Sequence, residues 1–221
     1  MKKSIITFIY FIIGILGVLA LLYVFMAVYD YYSEKKRVKV NYTLTQEEMG
    51  MIKDGDIILR HGYGLVSDLI TETLSEESNV SHCAILVKND TSTHVIHSVS
   101  QSLSDYDGVQ IQGLKRFVND SKKQSIIVLR YKFRDNDDPT LISTYAYYYL
   151  DKKIPFDNNF DITDSTEFFC SELLWKVFLN AYNVDLFEDK YGMDNNEFLK
   201  FDVFLNPKYF DVVFSHHDTK K

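Results

Sequence analysis

From Ser4 to Tyr29 the chain reads SIITFIYFIIGILGVLALLYVFMAVY, with no charged residue. About 20 apolar residues suffice to cross the hydrocarbon core of a bilayer, so this stretch predicts a single-pass transmembrane helix. A cleaved signal peptide is the alternative, but its apolar region spans about 7–15 residues and ends in a small-x-small site. The run here is longer, and no such site precedes Asp30. Tyr10, Tyr23, Tyr29, Tyr31 and Tyr32 include candidates for the headgroup boundary, where a phenol is well placed. Lys2 and Lys3 flank one end and Lys35, Lys36, Arg37 and Lys39 the other. The charges therefore leave open which side of the membrane the rest of the chain occupies.

The remainder reads as one domain. In the 221 residues, 46% are hydrophobic, which allows a sizeable core, and a formal charge of -7 without a long basic block argues against a nucleic-acid surface. Two cysteines, Cys83 and Cys170, allow one bridge at most. After a polar link, MIKDGDIILRHG places a Gly-Asp turn before the apolar run Ile57 to Leu59, which reads as a strand. LVSDLITETLSEE has near-helical apolar spacing, and SHCAILVK, STHVIHSVS and KQSIIVLRYKF are three further strand candidates.

The C-terminal part is mainly helical. DDPTLISTYAYYYLDKK predicts a helix with Asp138 as N-cap and Pro139 at its first position. CSELLWKVFLNAY predicts another, with Leu173, Leu174, Val177, Phe178 and Tyr182 on one apolar face. Strands followed by helices, without an internal repeat, give an α+β fold with an antiparallel sheet packed against helices. The expected organisation is an anchor over 1–30, a juxtamembrane linker over 31–42, a domain over 43–215 and a solvated tail over 216–221.

Cys170 opens the second of these helices. Asp164 and Glu167 have capping-box spacing just before it, and the positive end of a helix favours a thiolate. On its own, a lone cysteine in an apolar context such as Cys170 is more often a packing residue than a metal ligand or a nucleophile. A nucleophilic thiol needs a base. His216 and His217 fall in the tail and His61 in the loop RHGYG, leaving His82, His94 and His97. Alternation along a strand points Cys83 away from His82 and His94 away from His97. If the two strands are antiparallel neighbours, His82 and His97 lie side by side, with the Cys170 helix expected against the same face. In the loop, Gly62 and Gly64 permit close backbone approach and Tyr63 could reach a cleft as a donor.

GDIILRHGYG, SHCAILV, VIHSV and FFCSELLW, taken in this order, resemble the motifs of the circularly permuted papain-like cysteine hydrolases, the YiiX/YaeF-like branch of the NlpC-type superfamily. The match runs from Gly55 to Phe178. The resemblance implies a permuted papain-like domain in which His82 is the general base, His97 the orienting third member and Cys170 the nucleophile. The third position is often Glu in that branch; the related lecithin:retinol acyltransferase-like proteins use His there. A neutral His can hold the first imidazole in one tautomer, but it cannot stabilise an imidazolium as a carboxylate does.

Three classes of function follow. The first is a membrane-bound cysteine hydrolase or acyltransferase, working through a thioester on the amide or ester of a lipid, a lipidated chain or a cell-wall peptide. The second is a binding module of the same fold without catalysis. The third is a zinc site of two His and one Cys, although the short ligand spacings of such sites are absent. DNNFDITDSTEF fails as a calcium loop, with Ile162 at its sixth and Phe168 at its twelfth position. No metal or cofactor is expected.

Overall fold

The computed structural model describes residues 2–74, 78–163, 165–187 and 200–217. Helix α1, Lys2–Val40, opens the chain. Its segment Ile5–Val38 is long and apolar enough to cross a membrane, and none of it is buried against the rest of the chain in its most apolar window. The helix continues past Asp30 through most of the stretch read as a juxtamembrane linker. Glu, Lys and Arg are strong helix formers, and Arg37 Nε donates to Glu34 Oε2 one turn back at 2.8 Å.

Short α2, Gln46–Met51, follows with a complete capping box between Thr45 and Glu48. Then come β1 (Ile57–Arg60), α3 (Leu65–Leu74), β2 (His82–Lys88), β3 (Thr93–Val99), β4 (Gly108–Gly113), α4 (Leu114–Asn119) and β5 (Ile127–Tyr131). Helices α5 (Leu141–Lys152) and α6 (Cys170–Tyr182), a 3-10 turn at Phe201–Leu205 and β6 (Phe210–Ser215) complete the domain. The six strands form one sheet in the order β4-β3-β2-β1-β5-β6, and every neighbouring pair is antiparallel.

Alternation along the strands divides the core in two. Ile57, Leu59, Cys83, Ile85 and Ile96 face α5 and α6, whose Ile142, Ala146, Leu173, Leu174 and Val177 complete one cluster. Ile58, Ala84, Leu86 and Val95 face the other way, onto Leu114, Phe117 and Val118 of α4. Asp56, buried at the entry to β1, is held by Arg130 through two bonds of 2.7 Å, from Nε and Nη2. A bidentate pair of this kind fixes β1 against β5 as well as neutralising the charge.

Three local expectations are corrected. Asp138 does not cap α5: it accepts from Thr140 N and Oγ1 in a turn ahead of the helix, which starts at Leu141 with Thr140 as N-cap. Asp164 lies outside the described residues, and the N-cap of α6 is Phe169, with no side-chain cap bond. His216 is not part of a solvated tail. Its backbone N–H extends the sheet edge to Ile126 O at 2.8 Å, and its ring bonds Tyr42 and Glu48.

The sheet and the segment just after α5 approach closely at Gly108, where β4 begins with φ at +77°. A Cβ there would lie 2.1 Å from Ile154 O, the carbonyl that accepts from Val109 N at 2.8 Å. Gly108→Ala combines backbone strain with a clash against main chain, so it should cost about 2 kcal/mol or more. Urea unfolding of the two proteins in detergent checks this; an unchanged midpoint would contradict the close approach.

Candidate active site

Strands β2 and β3 pair from Ile85–Ile96 to Lys88–Thr93 and part beyond Ile85. The start of α6 sits in the opening. Ser98 Oγ on β3 donates to Phe168 O, and Cys83 on β2 lies close enough to the Cys170 sulfur to lower its pKa. The helix itself packs on the Cys83 face of the sheet, not on the His82 face as expected, because Leu173, Leu174 and Val177 need the larger apolar surface there. Cys170, in the first turn of α6, lines the same cavity as His82.

His82 and His97 do lie together. His82 Nε2 and His97 Nδ1 are 2.8 Å apart, and both rings pack on Phe117 at centroid distances of 5.9 and 5.6 Å. Burial, with a smaller contribution from the Arg60 cation, pushes His82 well down and His97 to about 3. Both imidazoles are therefore neutral at neutral pH. His97 Nε2 is buried with no hydrogen-bond partner among the described residues. His94, on the opposite face of β3, takes no part.

Cys170 is half-buried and shares a cavity of about 690 Å³ with His82, Arg60, Tyr63 and Gly62. Gly64 stands back from it, its N–H donating to Ser33 Oγ of α1 at 2.8 Å. Among the described residues no hydrogen bond joins Cys170 to His82. The Cys83 thiol beside it lowers the Cys170 pKa, with the backbone N–H groups of Cys83, Ser171 and Cys170 itself adding to this against the cost of burial. Burial and the same contact push Cys83 up, so Cys83 is the S–H donor of the pair. Cys83 thus does more than fill the core. A second cavity, of about 700 Å³ between α1 and Tyr63, includes neither Cys170 nor either histidine of the pair.

Two further features frame the cleft. The loop after α5 is organised by buried Asp157, whose carboxylate accepts from the N–H groups of Asn159, Phe160 and Asp161 at 2.7, 3.0 and 2.6 Å. It presents Asn158 and Phe160 to the cavity. On the other side, Glu34 and Arg37 of α1 reach the rim, with Arg37 paired to Asp120 at the end of α4. Arg60 is the residue that sequence reasoning passed over. It pairs in register with His82, and its guanidinium lies 4.2 Å from the centre of the Phe117 ring. Desolvation lowers it to about 10, which leaves it cationic at neutral pH. Its signal was a charged residue at an inward position of an otherwise apolar strand.

Comparison with known proteins was made on this geometry. The family described as permuted papain-like amidase enzyme, YaeF/YiiX, matches residues 51–215. The chain is similar to the crystal structure of metalloprotein yiiX from Escherichia coli O157:H7, with a TM-score of 0.56 and 20% identity over 75% of this chain and 98% of that one. That likeness concerns the fold. No curated protein matches.

The buried histidines set a pH dependence. Their folded pKa values lie below the unfolded value of about 6.5, so the unfolded chain takes up protons first as the pH falls. Stability present above pH ~6.5 is lost as the pH drops towards the folded values, by up to about 1.4 kcal/mol per pH unit for each histidine. Urea midpoints of the full-length protein in detergent should fall between pH 6.5 and 5, and fall less steeply in His97→Asn. Equal slopes in the two proteins would contradict the burial of a neutral His97.

Proposed function

We propose, from the premise that the chain belongs to the YaeF/YiiX family of permuted papain-like amidases, that it is a membrane-anchored cysteine hydrolase or acyltransferase acting on an amide or ester. The observation that carries this reading is the convergence on one cavity of a helix-start cysteine and a neutral, desolvated histidine. Cys170 is the nucleophile, His82 the base and His97 the positioning residue.

The chemistry follows from the hydrogen bond between the rings. With Nε2–H of His82 donated to His97 Nδ1, the His82 Nδ1 lone pair is left for the thiol proton. A side-chain adjustment brings the two together, since catalytic hydrogen bonds often tighten only with substrate. The Cys170 thiolate adds to the carbonyl carbon. Backbone N–H groups at the start of α6 take up the negative charge on oxygen. Collapse breaks the C–N or C–O bond, the imidazolium returns its proton to the leaving group, and a thioester remains. Water, deprotonated by His82, completes hydrolysis; another acceptor completes transfer. Because neutral His97 gives the imidazolium little support, the thiolate depends more on Cys83 and the helix-start N–H groups.

The related crystal structure is called a metalloprotein, which raises the question of a metal here. The two histidines spend their facing nitrogens on each other and Cys170 bonds Cys83. Among the described residues no group of three His, Cys, Asp or Glu side chains could hold an ion. These residues do not fit a metal, and no step is routed through one.

Helix α1 serves in this reading as the anchor of a domain spanning 43–215. At ~1.5 Å per residue, Arg37 at the cleft rim stands roughly 12 Å along the helix from Tyr29, the end of the uncharged run. The cleft then opens beside the headgroups, which fits a lipid, a lipidated chain or a cell-wall peptide as substrate.

Two outcomes test the proposal. Cells expressing Cys170→Ala should differ from cells expressing wild type in their lipid or peptide amide and ester pools, the uncleaved substrate accumulating in the variant; identical pools in both classes would favour the non-catalytic binding module. The protein should stay with the membrane pellet after an alkaline carbonate wash, and its release into the supernatant would contradict the span.

A further inference from the structure

We propose that Arg60 determines specificity in this cleft by binding a carboxylate that the substrate carries beside the scissile bond, an inference that rests on the reading of Cys170 as the nucleophile. The argument begins with an imbalance. A partly buried guanidinium lining a reaction cavity is normally matched by a carboxylate, yet no acidic side chain among the described residues forms an ion pair with Arg60. Asp120, the acid whose charge it feels, is held by Arg37 and also by Arg116 at 3.8 Å.

The orientation of the group narrows the ligand. One face of the guanidinium is covered by the Phe117 ring, and Nη1 donates to Phe117 O at 3.1 Å. Nε is buried without a hydrogen-bond partner, and Nη2 donates to no group among the described residues. What remains for a ligand is Nη2, since Nε, though unpartnered, is closed off from the cavity. A carboxylate oxygen on Nη2 makes a charge-assisted hydrogen bond with the cation. Phe117 fixes it from below, so little side-chain entropy is lost on binding. Arg60 and Cys170 line the same cavity, and the charge of one is felt at the other. A carboxylate on Arg60 would place a neighbouring acyl carbon over the sulfur. A neutral ester or amide lacking that anion would leave the cation unpaired and be selected against.

The test compares two alkylating agents of nearly equal shape. Full-length protein in detergent is treated with iodoacetate, which carries the carboxylate, or with its neutral counterpart iodoacetamide. Modification at Cys170 is followed by peptide mass spectrometry, Cys83 is scored separately, and glutathione in the same buffer gives the free-thiol reference. The iodoacetate-to-iodoacetamide rate ratio at Cys170 should exceed that of glutathione about tenfold, as one charge-assisted contact would give, and should fall to the glutathione ratio in Arg60→Gln. A wild-type ratio equal to that of glutathione overturns the proposal without any variant having to fold. A raised ratio that survives in Arg60→Gln overturns it too, since another cation would then be responsible. The nucleophile reading fails separately, if iodoacetamide alone modifies Cys170 no faster than glutathione.

Discussion

Beyond the Ile85–Ile96 pair, β2 and β3 stop exchanging backbone hydrogen bonds, and the first turn of α6 enters the gap. The rest of the structure depends on that opening. It lets a helix packed on one face of the sheet bring its first residue to the cavity that His82 also lines. It also leaves the side of Cys83 away from β1 open to the Cys170 sulfur. Ser98, fully buried, ties the helix start to β3 through Phe168 O. Had the ladder closed, Cys170 would face the apolar cluster of Cys83, Ile85 and Ile96 alone.

Burial then sets the chemistry. Desolvation keeps His82 and His97 neutral, while Arg60 remains charged because a guanidinium starts from so high a pKa. Without a carboxylate in the cluster, the charge that favours a thiolate comes from the Cys83 S–H, the N–H groups of the α6 turn and the nearby cation. Helix α1 is part of the same arrangement: Ser33 bonds the N–H of Gly64, and Asp30 bonds that of Leu65 at 3.2 Å, so α1 braces the loop that carries Tyr63.

Much of this was legible in the chain. The apolar run to Tyr29, the four strand candidates and the two C-terminal helices appear where periodicity placed them, and His82 and His97 meet as alternation predicted. Other features were hidden for physical reasons. Strand β4, GVQIQG, alternates only weakly and follows a polar loop, so it reads as connection until β3 pairs with it. Helices α2 and α4 have six residues each, too short for a periodic signal. The face on which α6 packs depends on how strands part, which no local pattern encodes. The bond between Cys83 and Cys170 follows from that parting and was equally invisible.

The central claim is that Cys170 is an activated thiol served by His82, and the rate of its alkylation by iodoacetamide as a function of pH tests it most directly. Activation predicts a profile whose midpoint lies below the free-thiol value of about 8.5, with the neutral-pH rate falling about tenfold or more in His82→Ala. A profile like that of an ordinary thiol, unchanged by the loss of His82, would contradict it.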